Sequence, residues 1–175
     1  ERFVVWVTTD LRWPATIGQF FNTAVSPLNP YNTDHGSFVY GTFPSFLVKA
    51  IAGLFGMDIY GELHLVGRAT NAVIDTGTVL LTAWLGKRFF DQRAGLLAGL
   101  LLAFTPLFIQ TSHFFTVDTI STFFAVAAFA CVVKAWDRHA VSWMAVAGVM
   151  IGLAAASKPN LLATLAFLAL PVLEQ

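Results

Sequence analysis

Between Ala94 and Val117 the chain runs 24 residues without Lys, Arg, Asp or Glu, and after Asp118 it runs another 15, Thr119 to Val133. Such runs are too long and too apolar for the half-exposed helices of a water-soluble domain, and they favour helices surrounded by lipid. Only 11% of the 175 residues are charged while 57% are hydrophobic, against roughly a quarter charged in soluble domains. Mean hydropathy is +0.70. The expected class is therefore an all-α, multi-pass transmembrane helix bundle.

Residues 1–62 differ from the remainder. They mix aromatics with Pro14, Pro27 and Pro30 and with several Asn, Thr and Ser, in apolar runs too short to cross a bilayer. An extracytoplasmic loop with short juxtamembrane helices is expected there, its Trp6, Trp13, Phe20, Phe21, Tyr31 and Tyr40 suited to the interfacial layer. Pro44 opens a short helix that ends at Gly56. A transmembrane bundle of about five spans follows over 63–175. The spans fall at about 63–86, 94–110, 118–135, 141–156 and 160–173.

Charge placement orients these spans. Net charge is zero, which gives no electrostatic case for nucleic acid. Five of the ten basic residues (Lys87, Arg88, Arg93, Lys134 and Arg138) lie in the connections at 86–93 and 134–139. The turn at 110–118 holds none, so by the positive-inside rule the two basic connections are cytoplasmic. The turn HFFTVDT at 113–119, the loop at 1–62 and the SKPN turn at 157–160 then meet on the outer face. Gly95 with Gly99, and Ala147 with Ile151 and Ala155, suit close helix packing. Cys131, the single cysteine, is expected to pack between helices.

Asp118 is the leading candidate for chemistry, a carboxylate at a helix start beside hydroxyls and His113. Capping of the helix is the alternative reading. The five-residue spacing of His113 and Asp118 does not match a helical metal pair. Lys158 is either a snorkelling lysine or a cation for a phosphate, and Arg68 either an anchor or a phosphate contact. Asp75 lies near the middle of the first span, with Asn71 and Thr78 within a turn as hydrogen-bond partners. No P-loop, dinucleotide fingerprint, nucleophile elbow or zinc motif is present. A transporter or channel segment with Asp75 and Asp118 in an ion path is the competing class, and it lacks paired broken helices with inverted symmetry.

The order FVYGTFPSFLVKAIAGLFG, HLVGRATNAVIDTGTVLLTAWLGKRFF, AGLLAGLLLAFTPLFIQTSHFFTVDTISTFF and IGLAAASKPN resembles the GT-C membrane glycosyltransferases. It resembles especially the dolichyl-phosphate-mannose protein mannosyltransferase-like group (glycosyltransferase family 39), which includes the aminoarabinose transferases. In that family the first outer loop opens with an Asp-Glu pair whose aspartate is the catalytic base. The opening ERF resembles the second half of such a pair. The resemblance implies that the chain is a piece of a longer protein, inactive alone.

It also implies transfer of a sugar from a polyprenyl-phosphate donor to an acceptor hydroxyl of a protein or lipid-linked glycan, in the plasma membrane with the site on the extracytoplasmic side. The implied catalytic residues are Glu1 and Asp118, with Lys158 and Arg68 on the donor phosphate. His113 is a candidate acceptor or metal contact. No cofactor is firmly implied, and a divalent metal is a candidate.

Overall fold

The computed structural model describes residues 1–172, with side chains described through residue 166. Its regular elements are helical. They are α1 (Arg2–Asp10), α2 (Ile17–Phe21), a 3₁₀ turn at Pro30–Thr33, α3 (Phe43–Leu54), α4 (Leu63–Phe89), α5 (Gln92–Ala103), α6 (Pro106–Ser112), α7 (Val117–Arg138), α8 (Val141–Ser157) and a 3₁₀ helix at Pro159–Val172. No strand occurs among the described residues.

The long helices form a bundle in which α4 and α7 run in the same direction. Asn71 near the start of α4 bonds the turn that precedes α7, and Arg88 near the end of α4 pairs with Asp137 near the end of α7. At about 1.5 Å per residue, Arg68 and Arg88 lie about 30 Å apart along α4, and Asp118 and Asp137 nearly as far apart along α7. α5, packed on α4, and α6 lead the chain back to the start of α7, and α8 returns antiparallel to α7. Close approach of α4 and α5 depends on Gly95, where a Cβ would sit 2.5 Å from the Ala83 carbonyl oxygen. Cys131 is buried beside Val132 and Ala147, in the α7–α8 packing that its sequence position suggested.

Three expectations change. The run 94–110 is not one straight helix, because α5 and α6 meet at 61°. Pro106 has no N–H and disfavours helical backbone at Thr105, whose φ of −69° and ψ of 119° are extended. The run expected at 160–173 is a 3₁₀ helix through Val172, and Leu173 lies outside the described residues. Among the described residues one helix, α7, is long and apolar enough by itself to cross a membrane, or two if α5 and α6 make one bent span. α4 is long, but Arg68, Asn71 and Asp75 interrupt its apolar character.

The segment 1–62 contributes to the core as well as to the surface. Val4, Val5, Val7, Thr8 and Leu11 recur at helical spacing, and all are buried. Val4 and Val5 share one apolar cluster with Val48 and Ala52 of α3, Leu63 and Val66 of α4, and Phe115. Lys49, also buried, donates from Nζ to the Thr9 carbonyl at 2.8 Å and so fastens α3 to the last turn of α1. The opposite face of the segment keeps Trp6, Trp13, Phe20, Phe21, Tyr31 and Tyr40 exposed. α3 starts one residue before Pro44 and ends at Leu54, and Gly56 takes the left-handed conformation at φ +66° that favours glycine there.

Candidate functional site

At the end of the bundle where α4 and α7 begin, two ion pairs join four of the residues singled out in the sequence. The Glu1 carboxylate accepts from Arg68 twice, from Nε and Nη2, each at 2.7 Å. It also accepts from the Phe115 backbone N–H at 3.2 Å. Arg68 lies over the Phe114 ring, 5.4 Å from its centroid. The Arg68 guanidinium beside it holds the Glu1 carboxyl below the ordinary carboxylate range, against the opposing effect of burial and with help from the Phe115 N–H.

The second pair is Asp118 with Lys158, Oδ1 to Nζ at 2.6 Å. Asp118 sits in the first turn of α7, but no side chain caps that helix, so its carboxylate is engaged by the lysine rather than by free N–H groups. Lys158 is aimed by the backbone of its own turn. The Gly41 N–H donates to the Ser157 carbonyl at 3.1 Å, and a Cβ on Gly41 would fall 1.9 Å from the Ala156 carbonyl oxygen.

Between the pairs lies the turn 113–116, positioned from below. Phe115 is fully buried against Gly67, where a Cβ would come within 2.5 Å of the Phe115 ring. Asn71, also fully buried, donates from Nδ2 to the carbonyls of Phe114 and Thr116 at 2.7 and 3.0 Å. Thr119 Oγ1 donates to the Thr111 carbonyl at 3.1 Å and ties α7 to α6.

His113 joins neither pair. It is exposed, with Nδ1 at 2.6 Å from the Ile109 carbonyl oxygen at the end of its own helix. Among the described residues no three His, Cys, Asp or Glu side chains gather as a metal site would require. Asp75 forms no ion pair among the described residues. Its expected partners are engaged elsewhere, Asn71 with the turn and Thr78 with the Ile74 carbonyl.

A cavity adjoins the Glu1–Arg68 pair, and a second lies on the α3 side of α4. One, of 220 Å³, is lined by Glu1, Arg2, Tyr60, His64 and Arg68. The other, of 470 Å³, is an apolar groove between α3 and α4 lined by Leu47, Ile51, Phe55, Val66, Val73 and Ile74.

Of three further contributors, Lys49 and His35 were missed in the sequence, and Asn71 was expected to serve Asp75 instead. Asn71 lies three residues after Arg68, hence on the same helical face, and that spacing was the available signal. The contact of Lys49 with α1 carried none. The third is His35, buried with Nε2 at 2.9 Å from Asp10 Oδ2 and Trp6 packed edge-on at 4.5 Å, which fastens the segment after α1 back onto that helix. Sequence separation hid it.

Residues 44–173 match the model of the dolichyl-phosphate-mannose-protein mannosyltransferases. The chain belongs to this family. Its members are membrane glycosyltransferases of GT-C type that use polyprenyl-phosphate sugars. Arg68, His113, Asp118 and Lys158 fall within the family match, and Glu1 precedes it. No curated protein and no solved structure matches the chain.

Proposed function

We propose that the protein transfers a sugar from a polyprenyl-phosphate donor to a hydroxyl of a protein or lipid-linked glycan, at the outer face of the plasma membrane. The observation that carries this reading is the meeting of Glu1–Arg68 and Asp118–Lys158 at one end of the bundle.

A multi-pass placement is supported by the charge pattern. The ion pairs at the two ends of α4 and α7 are separated by about 30 Å of helix, the thickness of a hydrocarbon core. Between them α8 and the α5–α6 stretch after Arg93 hold no charge, α4 holds Asp75, and α7 holds only Lys134, close to its far end. In this reading α4, bent α5–α6, α7, α8 and the helix from Pro159 are the crossing segments.

The chemistry follows from what each pair can exchange. The acceptor oxygen attacks the anomeric carbon as the bond from that carbon to the phosphate oxygen breaks. The acceptor proton passes to a carboxylate, and the electron pair of the broken bond stays on the polyprenyl phosphate. Lys158 leaves Asp118 for the phosphate, stabilising the charge that develops there, and Asp118 is released to orient the acceptor hydroxyl. Arg68 holds Glu1 ionised and adds positive field at the same end of the bundle. The test is sugar transfer by the full-length protein in vesicles supplied with a polyprenyl-phosphate sugar. Loss of transfer in Asp118→Asn, with the fold intact, is expected, and unchanged turnover would remove Asp118 from the mechanism.

A further inference from the structure

At the far end of the bundle, a cleft of 460 Å³ opens between the last turns of α4 and α7. Its walls are Phe89, Phe129, Val133 and Trp136, with Phe89 and Phe129 stacked at 6.1 Å between ring centroids. Its rim is the ion pair of Arg88 with Asp137, made side-on through two guanidinium nitrogens, with Nε to Oδ2 at 2.6 Å. Arg88 remains about half exposed and can turn to a second anion.

The surroundings are positive. The adjoining connections carry Lys87, Arg93, Lys134 and Arg138 besides Arg88, against Asp91 and Asp137. The Asp91 carboxylate is itself engaged, accepting from the Ala94 N–H at 2.7 Å as the cap of α5. Lys134 lies over the rings of Trp143 and Trp84, at 4.5 and 5.4 Å. Cations backed by indole rings are the arrangement that suits the level of lipid headgroups, where ring bodies face acyl chains and charges face phosphates.

We infer that this cleft binds an anionic phospholipid, its phosphate on Arg88 and its acyl chains along Phe89, Phe129 and Trp136, with Lys87 adding to the positive field nearby. A small soluble anion would gain nothing from the aromatic wall, and a zwitterionic lipid would gain little from the excess of positive charge. The inference rests on the membrane-spanning placement of the bundle proposed above and is independent of the transfer chemistry.

Trp136 reports directly on the cleft. The full-length protein is placed in phosphatidylcholine nanodiscs doped with brominated phosphatidylglycerol or with brominated phosphatidylcholine. Bromine quenching of Trp136 is isolated by subtracting the Trp136→Phe variant. The anionic lipid should quench at a fraction about fivefold lower than the zwitterionic one, the scale of one basic residue facing an anionic lipid. Arg88→Gln together with Lys87→Gln should abolish the preference. Asp137→Asn, which frees Arg88, should strengthen it, a change of opposite sign that loss of folding would not produce. Equal quenching by the two lipids, a preference that survives the double variant, or displacement by soluble glycerol phosphate would overturn the inference. Labelling of the two bundle ends from opposite sides of the membrane tests the placement separately, so failure of the lipid site and failure of the topology are distinguishable.

Discussion

Arg68 meets Glu1 across 67 residues of chain, two guanidinium nitrogens on two carboxylate oxygens at 2.7 Å each. Such bidentate geometry is among the strongest that two charged side chains make. It fixes the start of α1 against the first turns of α4 and, through the Phe115 N–H, against the turn before α7.

Acid stability should depend on this contact. The Glu1 carboxyl titrates lower in the folded protein than in the unfolded chain, mainly because Arg68 donates to its ionised form. Its contribution is therefore fully present above the unfolded value of about 4.3 and is lost as pH falls through the lower folded value. Thermal unfolding in detergent, followed from neutral pH downward, should show a falling midpoint in that window. Glu1→Gln should lower the midpoint at neutral pH and flatten the acid limb. A parallel acid limb in the variant would assign the loss to other carboxylates.

Asn71 carries more structural weight than its single position suggests. Replacing it with alanine leaves the carbonyls of Phe114 and Thr116 without their donor beneath a buried turn. Asn71→Ala should cost about 2 to 3 kcal/mol in reversible unfolding. Aspartate there should cost at least as much, because it points acceptors at acceptors. A change within experimental error in both variants would mean that the turn is held from elsewhere.

The helical bundle was legible in the sequence because long uncharged runs bounded by basic connections leave few alternatives. Asp118 and Lys158 were also legible, each as a charge where charge is costly. Their pairing was not, because 40 residues separate them and only the antiparallel return of α8 brings them together. α1 was read as part of a surface loop because its nine residues are too few to cross a bilayer and prolines and turn residues follow, although its apolar positions keep helical spacing. Its burial is decided by what α3, α4 and Phe115 offer it. The break at Pro106 did have a local signal, but the absence of charge over the whole run outweighed the proline.

Gly41 should tolerate no side chain. A methyl group placed 1.9 Å from the Ala156 carbonyl oxygen must push the loop away from the end of α8, losing the bond to Ser157. Overpacking of this kind costs about 1 to 3 kcal/mol. Because the same turn aims Lys158, Gly41→Ala should also weaken donor binding. A variant that is destabilised with donor affinity unchanged would show that Lys158 is positioned independently of the loop.

Asp118 and Lys158 should separate binding from turnover. Lys158→Ala is expected to raise the donor Kd about tenfold, equivalent to about 1.4 kcal/mol. Asp118→Asn releases the lysine, so donor affinity should hold or rise while turnover falls by about a hundredfold, the scale of a mispositioned reacting group. A purely structural ion pair would move stability in both variants without this opposite effect on affinity. Isothermal titration with donor beside initial-rate measurements distinguishes the two.

The two ends of the bundle should be reachable from opposite sides of the membrane. Cys131 is buried, which keeps the background of a thiol label low. A cysteine at His113, exposed in the turn before α7, and one at Arg93, exposed at the start of α5, place reporters at opposite ends. With the basic connections facing the cytoplasm, an impermeant maleimide added to intact cells should modify His113→Cys and spare Arg93→Cys until the membrane is opened. Labelling of Arg93→Cys alone would invert the bundle and put both ion pairs on the cytoplasmic side. Labelling of both without permeabilisation would mean that α4 and α7 do not cross, leaving the 30 Å between the charged ends (an axial rise of about 1.5 Å per residue) without a membrane to match.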